Sequence, residues 1–313
     1  MKDLSKVLPC SVKPRKDELF SSWLVRLAKA HSIRSQSFYK RLYPGSNIWN
    51  ADIDKSAPDK FIRNLESKTL STYEELVSTT LMHYEGKLYL KHNPYGYTKW
   101  ILPESNPHIT YNNSWLVFCP KCLKKDKAPY FRKHWRLSIS IICIECEVYL
   151  HEKCPNCYKP VVFYKSDFSL KNCFNCQYDL SLAKTKKAPQ KHLKMQIELF
   201  RIMNEGWNSR VIYPHLYFDV LHQILKIIKG KELLFNKTVK SNGNHIPFEQ
   251  LSIDLRKQYL TIAIWILEDF PKRLIRIIQK EKSIRTILFK DFEDIPFWYH
   301  EIVVDSFVIS TIN

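Results

Sequence analysis

Glycine is scarce in this chain. There are six among 313 residues, Gly45, Gly86, Gly96, Gly206, Gly230 and Gly243. They lie too far apart for any GxGxxG or GxxxxGK[ST] loop, and such loops need glycine where the backbone closes on phosphate. P-loop nucleotidases and Rossmann dehydrogenases are therefore excluded. Acidic residues are also few, 31 against 49 Lys plus Arg, which leaves a formal charge of +18. Long apolar runs are missing too. Tyr259 to Leu267, the longest charge-free apolar stretch toward the C-terminus, is far short of the ~20 residues that span a bilayer. The first residues carry Lys2, Lys6, Lys13, Arg15 and Lys16 with no apolar core, so no secretory leader and no membrane partner are expected. The expectation is a cytoplasmic protein, in whose reducing surroundings cysteines serve as metal ligands or core residues.

What is present is globular. Hydrophobic residues make up 45% and charged ones 26%, and the length suits two or three modest domains. The basic excess favours a polyanionic partner, nucleic acid first.

Periodicity divides the chain into three zones and a connector. Residues 1–112 read as helical, most clearly from Asp17 to His31. There Leu19, Trp23, Leu24, Leu27 and Ala28 make one apolar stripe, with Lys16, Arg26 and Lys29 left to water. Two helices follow, Pro58 to Lys68 and Thr72 to His83. Ser56 with Asp59, and Thr72 with Glu75, are candidate capping boxes. Helix, short turn, helix is the outline of a helix-turn-helix. Residues 113–183 hold eight of the nine cysteines among β-like runs at 115–118, 137–143 and 161–164. Residues 184–194 read as a basic linker broken by Pro189. Residues 195–313 return to helical spacing, with Leu221, Leu225 and Ile228 in one stripe and Leu260, Ile264 and Leu267 in another. A basic helix after Pro271 turns Leu274, Ile277 and Ile278 inward. The expected fold is mainly α with small β zinc ribbons, an N-terminal helix-turn-helix domain, a tandem zinc-ribbon module and a C-terminal helical domain.

The cysteines carry the strongest signal. Cys119 and Cys122, Cys143 and Cys146, Cys154 and Cys157, and Cys173 and Cys176 are four CxxC knuckles. Each turns two sulfurs toward one point, and two knuckles complete a tetrahedral shell suited to Zn²⁺. Two structural zinc ions are expected. Sequential pairing puts Cys119, Cys122, Cys143 and Cys146 in site 1, and Cys154, Cys157, Cys173 and Cys176 in site 2; a cross-braced pairing is left open by spacing alone. Four thiolates leave no position for water, so neither site is expected to be catalytic. Lys121, Lys124, Lys125, Lys153 and Lys159 are placed to offset the negative charge of the shells. His151 and Cys10 are spare ligands expected to stand aside.

Several stretches together carry a family resemblance. Residues 14–28 include Pro14, Asp17, Glu18 and Ser22-Trp23-Leu24-Val25-Arg26-Leu27-Ala28. Trp49 is followed by Asp52-Ile53-Asp54. Phe118-Cys119-Pro120 with Cys122, then Tyr130-Phe131-Arg132 with Trp135-Arg136-Leu137, lead on to Cys143, Leu150 and Cys154-Pro155 with Cys157. This order resembles the TniQ family, which includes the TnsD proteins, over roughly residues 10–180. Arg256 to Pro271 and Ile295-Pro296-Phe297-Trp298 look like the family's C-terminal helices. Two departures stand out. Cys146 replaces the family's usual histidine, and Leu123, Glu147, Tyr158 and Gln177 stand where glycine is favoured after a knuckle. The resemblance implies a transposition target-selection adaptor in a bacterial cytoplasm, without chemistry of its own. Its implied partners are an AAA+ transposition regulator of the TnsC kind, and either a CRISPR effector complex with guide RNA or attachment-site DNA; a homodimer is left open. The rival readings are a sequence-specific DNA-binding regulator and a zinc-dependent nuclease.

Candidate contacts follow from charge. Lys124, Lys125, Arg132, Lys133, Lys184, Lys186, Lys187, Lys191 and Lys194 are the candidate nucleic-acid ligands. Tyr130, Phe131, His134 and Trp135 interleave with some of these cations, and core packing is the favoured use of those rings. Glu74 and Glu75 at the start of the second helix would be repelled by phosphate. Tyr73, Glu74, Ser78 and Thr79 are accordingly candidate protein-partner contacts. Asp291, Glu293 and Asp294 read as a solvated acidic face.

Overall fold

The first long helix, α1 (Phe20–Ala30), starts where Ser21 meets Asp54. The Ser21 amide and hydroxyl donate to the two oxygens of Asp54 at 2.6 and 2.8 Å. A carboxylate placed there satisfies orphan donors of the first turn and favours the positive end of the helix dipole. These contacts come from a computed structural model, which describes residues 7–45, 47–104, 114–166, 169–208, 211–230, 246–280, 285–290, 292 and 294–312. The chain forms two compact units, one of Met1–Glu85 with Lys91–Ala188 and another of Gly86–Leu90 with Pro189–Asn313. The helical N-terminal zone and the cysteine zone thus share one unit.

In the first unit, the apolar stripe of α1 packs with α2 (Ser35–Leu42), α3 (Ile53–Ser56), α4 (Asp59–Lys68) and α5 (Tyr73–Val77). Phe20, Trp23, Leu24, Leu27, Phe38, Tyr39, Phe61, Leu65 and Leu76 form the centre of that core. α1 is buried on more of its circumference than its stripe implies. Arg26 is not left to water; it bonds Glu18 at 2.5 Å, and Glu18 is fully buried.

The second capping box forms as expected. Thr72 Oγ1 accepts from the Glu75 amide at 3.1 Å, and Glu75 Oε2 accepts from the Thr72 amide at 2.9 Å. The helix that follows ends at Val77 rather than His83. Ser78, Thr79 and Thr80 donate their hydroxyls to the carbonyls of Glu75, Leu76 and Val77 at 2.6–2.7 Å. Three hydroxyls in a row compete for the carbonyls a helix needs, and a 3₁₀ turn at Leu81–Tyr84 takes over. The other box does not form, because Ser56 belongs to α3 and donates to the Asp52 carbonyl. α4 starts after Pro58 instead.

The cysteine zone has less strand than its sequence suggests. α6 (Pro120–Lys125) is followed by β1 (Ile142–Cys143) and β2 (Val148–Tyr149), paired antiparallel with Ile142 opposite Tyr149 and Cys143 opposite Val148. The run at 115–118 contributes one bridge, Phe118 to His151. The run at 161–164 gives way to a 3₁₀ turn, Phe163–Lys165. Of the basic segment 184–194, residues 186–188 pair beside β2 in the first unit and residues 190–194 open a helix of the second. Lys187 bridges Val148, the Lys186 carbonyl accepts from Tyr149, and the Ala188 amide donates to Glu147. Residues 184–188 thereby lie along β2, since its outer edge offers unpaired amides.

One salt-bridge cluster ties these parts together. Arg136 is fully buried; it bonds Asp52 at 2.5 Å, Asp54 at 3.1 Å and the Leu102 carbonyl at 3.0 Å, and its guanidinium lies 4.7 Å from the Trp115 ring. Glu104 accepts from the Tyr164 hydroxyl at 2.7 Å. Burial pushes Asp54 up to about 6, against the pull of Arg136. Burial, reinforced by the nearby Asp52 charge, pushes Glu104 up to about 8.

The second unit is mainly helical in its described residues: α7 (Gln190–Glu205), α8 (Pro214–Gly230), α9 (Ile253–Glu268), α10 (Lys272–Lys280), α11 (Arg285–Leu288) and α12 (Phe297–Ile312). α8 is its hub, with Phe218, Leu221, Leu225 and Ile228 all buried. Leu260 and Leu267 of α9 and Leu274 and Ile278 of α10 turn inward as their spacing predicts, while Ile264 and Ile277 stay half-exposed.

Removing Arg136 leaves buried carboxylates uncompensated. Arg136→Met should cost about 3–5 kcal/mol in urea unfolding of the zinc-loaded chain. Arg63→Met, which breaks a surface pair with Asp59, should leave the midpoint almost unmoved. Glu104 holds its proton more tightly folded than unfolded. The stability gained from that proton is lost as pH rises from the ordinary carboxyl range through about 8. Glu104→Gln should flatten the alkaline limb of a stability-versus-pH curve; a limb as steep as the parent's would show that another group causes it.

Candidate metal centres

α6 begins with Pro120 at its first position, which places Cys119 at the N-cap and Cys122 in the first turn. Cys143 closes β1, and Cys146 lies in the turn before β2. The hairpin and the helix start thus deliver two sulfurs each. Cys122 Sγ lies 3.5 Å from Cys143 Sγ and 3.6 Å from Cys146 Sγ. The other four cysteines close the same way, with Cys154 and Cys176 sulfurs 3.6 Å apart and Cys157 and Cys173 sulfurs 3.7 Å apart. Within each group all four sulfurs lie within 4.8 Å of one another. Zinc–sulfur bonds of ~2.3 Å in a tetrahedron require sulfur–sulfur edges of about 3.8 Å. The donor set and its spacing fit Zn²⁺ at both centres, and the groups are the sequential ones; cross-bracing does not occur.

Non-glycine residues hold the knuckle geometry. Glu147, Tyr158 and Gln177 take φ of 55°, 56° and 61°, the left-handed region for which glycine is favoured. The Tyr158 amide donates to the Cys154 carbonyl, and that of Gln177 to the Cys173 carbonyl, at 2.9 Å each. Leu123 needs no such conformation, because it continues α6. The amides of Cys157 and Asn156 also point at the Cys154 sulfur, and those of Cys176 and Asn175 at Cys173. Hydrogen bonds of this kind favour thiolates. Burial works the other way and pushes the Cys154 thiol up to about 12, a penalty that a bound cation offsets.

The cation beside the first centre is one that sequence reasoning assigned elsewhere. Arg132 is buried, paired with Asp126 at 2.8 and 3.0 Å, and its guanidinium lies 4.2 Å from the Tyr130 ring and 4.8 Å from that of Trp135. Burial opposes its charge, but Asp126 and the neighbouring Cys122 sulfur hold it charged. Lys121, Lys124 and Lys125 are exposed on α6, and Lys159 reaches Asn175 across the second centre at 3.0 Å. His151 packs on Phe118 and stays outside both groups, as does the exposed Cys10.

The expected nucleic-acid contacts divide. Lys124, Lys125, Lys184, Lys186 and Lys187 are exposed in the first unit, and Lys191 and Lys194 are exposed on α7 in the second. Arg132 and Lys133 are instead buried, contrary to the expected nucleic-acid role, and their charged ends face Asp126 and the Ser78 carbonyl. Phe131 and Trp135 are core residues, as favoured. Among the partner candidates, Glu74 and Ser78 are exposed and Tyr73 is half-exposed. Thr79 is buried, and its carbonyl accepts from the Phe20 amide, so it anchors α1 rather than facing a partner. Glu75 is engaged by Lys13 at 2.8 Å. Asp291 and Glu293 lie outside the described residues, and Asp294 is exposed.

The TniQ family profile matches residues 9–150, which takes in the α1 core, the Arg136 cluster and the first cysteine group. None of the curated proteins compared with the chain matches it.

Pairing is testable by counting ions. Cys119→Ser combined with Cys143→Ser should cost one zinc per chain in native mass spectrometry, whereas Cys119→Ser with Cys154→Ser should cost both. Loss of both ions from the first pair would contradict the sequential grouping.

Proposed function

We infer that residues 9–150, which match the TniQ family profile, form a domain of that kind, and that the chain has a role in transposition target selection. From that premise we propose that the chain is an adaptor, linking a target-recognition complex to an AAA+ transposition regulator by binding alone. The observation that carries the adaptor reading is the shortness and charge of α5. Five residues rise only about 7.5 Å, and the helix leads with exposed Glu74 and capping Glu75. A recognition helix places its first turn beside phosphates and base edges, where these acids would be repelled. Tyr73, Glu74 and Ser78 suit a basic protein surface better, and the AAA+ regulator is the partner assigned to them. The exposed lysines at 124, 125, 184, 186 and 187 are assigned to nucleic-acid phosphate, whether in attachment-site DNA or in the guide RNA of a CRISPR effector. The two tetrathiolate centres are assigned a structural role, because a filled sulfur shell has no position for an attacking water.

Selection from random duplex DNA, run beside pull-downs with neighbouring gene products scored for an AAA+ ATPase and for CRISPR effector subunits, tests the reading. The adaptor should retain the ATPase, and Glu74→Lys should weaken that retention about tenfold. A strong DNA motif with protection centred on Ser78, and no ATPase retained, would make the chain a sequence-specific regulator instead.

A further inference from the structure

α7 and α9 lie side by side in the second unit, and between them runs a groove of about 470 Å³. It lies outside the TniQ match. Its floor is apolar, made by Met195, Ile197, Ile264 and Trp265. Ile197 is 47% and Trp265 43% exposed, although both stand on helices whose other large apolar side chains are mostly covered. The Trp265 indole is held in place. The Arg273 guanidinium lies 4.4 Å from its ring centroid, a contact that orders the ring before any ligand arrives.

Charge around the groove is uneven along its length. Exposed Lys191 and Lys194 stand at one end, with His192 beside them. Glu198 and Glu268 stand toward the other end, and each already faces an arginine. Arg201 meets Glu198 at 2.7 Å, and Arg273 lies 3.7 Å from Glu268. The uncompensated charge at the groove is therefore positive and confined to the end that starts α7.

We propose that this groove docks an amphipathic helix of a partner protein, whose apolar stripe covers Ile197 and Trp265 and whose acidic side chains meet Lys191 and Lys194. Helix-in-groove recognition seats apolar anchors at i, i+3, i+4 and i+7 of the docked helix, and Ile197 of α7 with Ile264 and Trp265 of α9 offer the apolar surface that receives them. A second copy of this chain fits less well, because a two-fold contact would bring the Lys191 and Lys194 end onto the Glu198 and Glu268 end, whose carboxylates already face Arg201 and Arg273. A nucleic-acid backbone fits poorly too, since it would press phosphate against Glu198 and Glu268 over an apolar floor. The inference stands apart from the adaptor reading, because it uses none of the residues assigned to that role.

The experiment uses the zinc-loaded full chain and two fluorescein-labelled helical peptides with one leucine stripe. One carries glutamates beside the stripe and the other carries lysines. Fluorescence anisotropy should show the glutamate peptide binding at least about tenfold more tightly than the lysine peptide. Trp265→Ala should weaken it about tenfold or more, and so should Lys191→Glu with Lys194→Glu, with unchanged melting curves in both cases. Equal binding of the two peptides, or unchanged binding by either variant, would overturn the proposal. So would displacement of the peptide by duplex DNA, or sedimentation as a dimer that loses the contact on Trp265→Ala. Retention of the AAA+ ATPase is scored separately, so failure here leaves the adaptor reading to its own test.

Discussion

Four sulfurs drawn to one cation do, twice over, what secondary structure does elsewhere in this molecule. Between Cys119 and Cys176 the described residues offer one six-residue α-helix, two strands of two residues and a few 3₁₀ turns. Backbone hydrogen bonding on that scale cannot order some sixty residues against their conformational entropy. Structural zinc contributes about 10–16 kcal/mol of apparent binding energy per site, enough to change that balance. Sulfur edges of 3.5–3.7 Å lie close to the edge of about 3.8 Å that a zinc tetrahedron demands.

The α-helical core leans on this metal-held segment. Phe131 exchanges backbone contacts with α1, donating its amide to Ser22 Oγ at 2.9 Å and accepting from the Leu19 amide at 2.9 Å. The Lys133 amide donates to the Asp17 carbonyl, and Arg136 neutralises the Asp54 that caps α1. The start of α1 is thus built from residues more than a hundred positions downstream. Both halves of that joint lie in the first compact unit.

Much of this was legible in the residues themselves. The CxxC spacing gave the metal, its number and its role, because two-residue spacing constrains sulfur geometry locally. The stripe of α1 and the Thr72–Glu75 cap were legible for the same reason, each being fixed within a few residues. Long-range choices were not. Arg132 has the look of a surface cation, and only its meeting with Asp126 and Cys122 makes it interior. Asp52, Asp54 and Arg136 stood out as elements of a family resemblance, yet their pairing spans more than eighty residues and no periodicity encodes it. The alternating run from Tyr130 to Leu137 resembles a strand; Arg132 bridges Glu18 and the next four residues wind into a 3₁₀ turn. Tyr158 and Gln177 show the reverse case, in which the expected glycine is missing and the left-handed conformation is kept.

The central claim is that metal, rather than core alone, holds the first unit together. Native mass spectrometry of the purified chain, followed by stepwise chelation under near-ultraviolet circular dichroism, tests it most directly. The account predicts two zinc ions per chain, and a tertiary aromatic signal that collapses as they are withdrawn and returns when zinc is restored. A chain that carries no transition metal yet keeps its full aromatic signal and cooperative melting would contradict it.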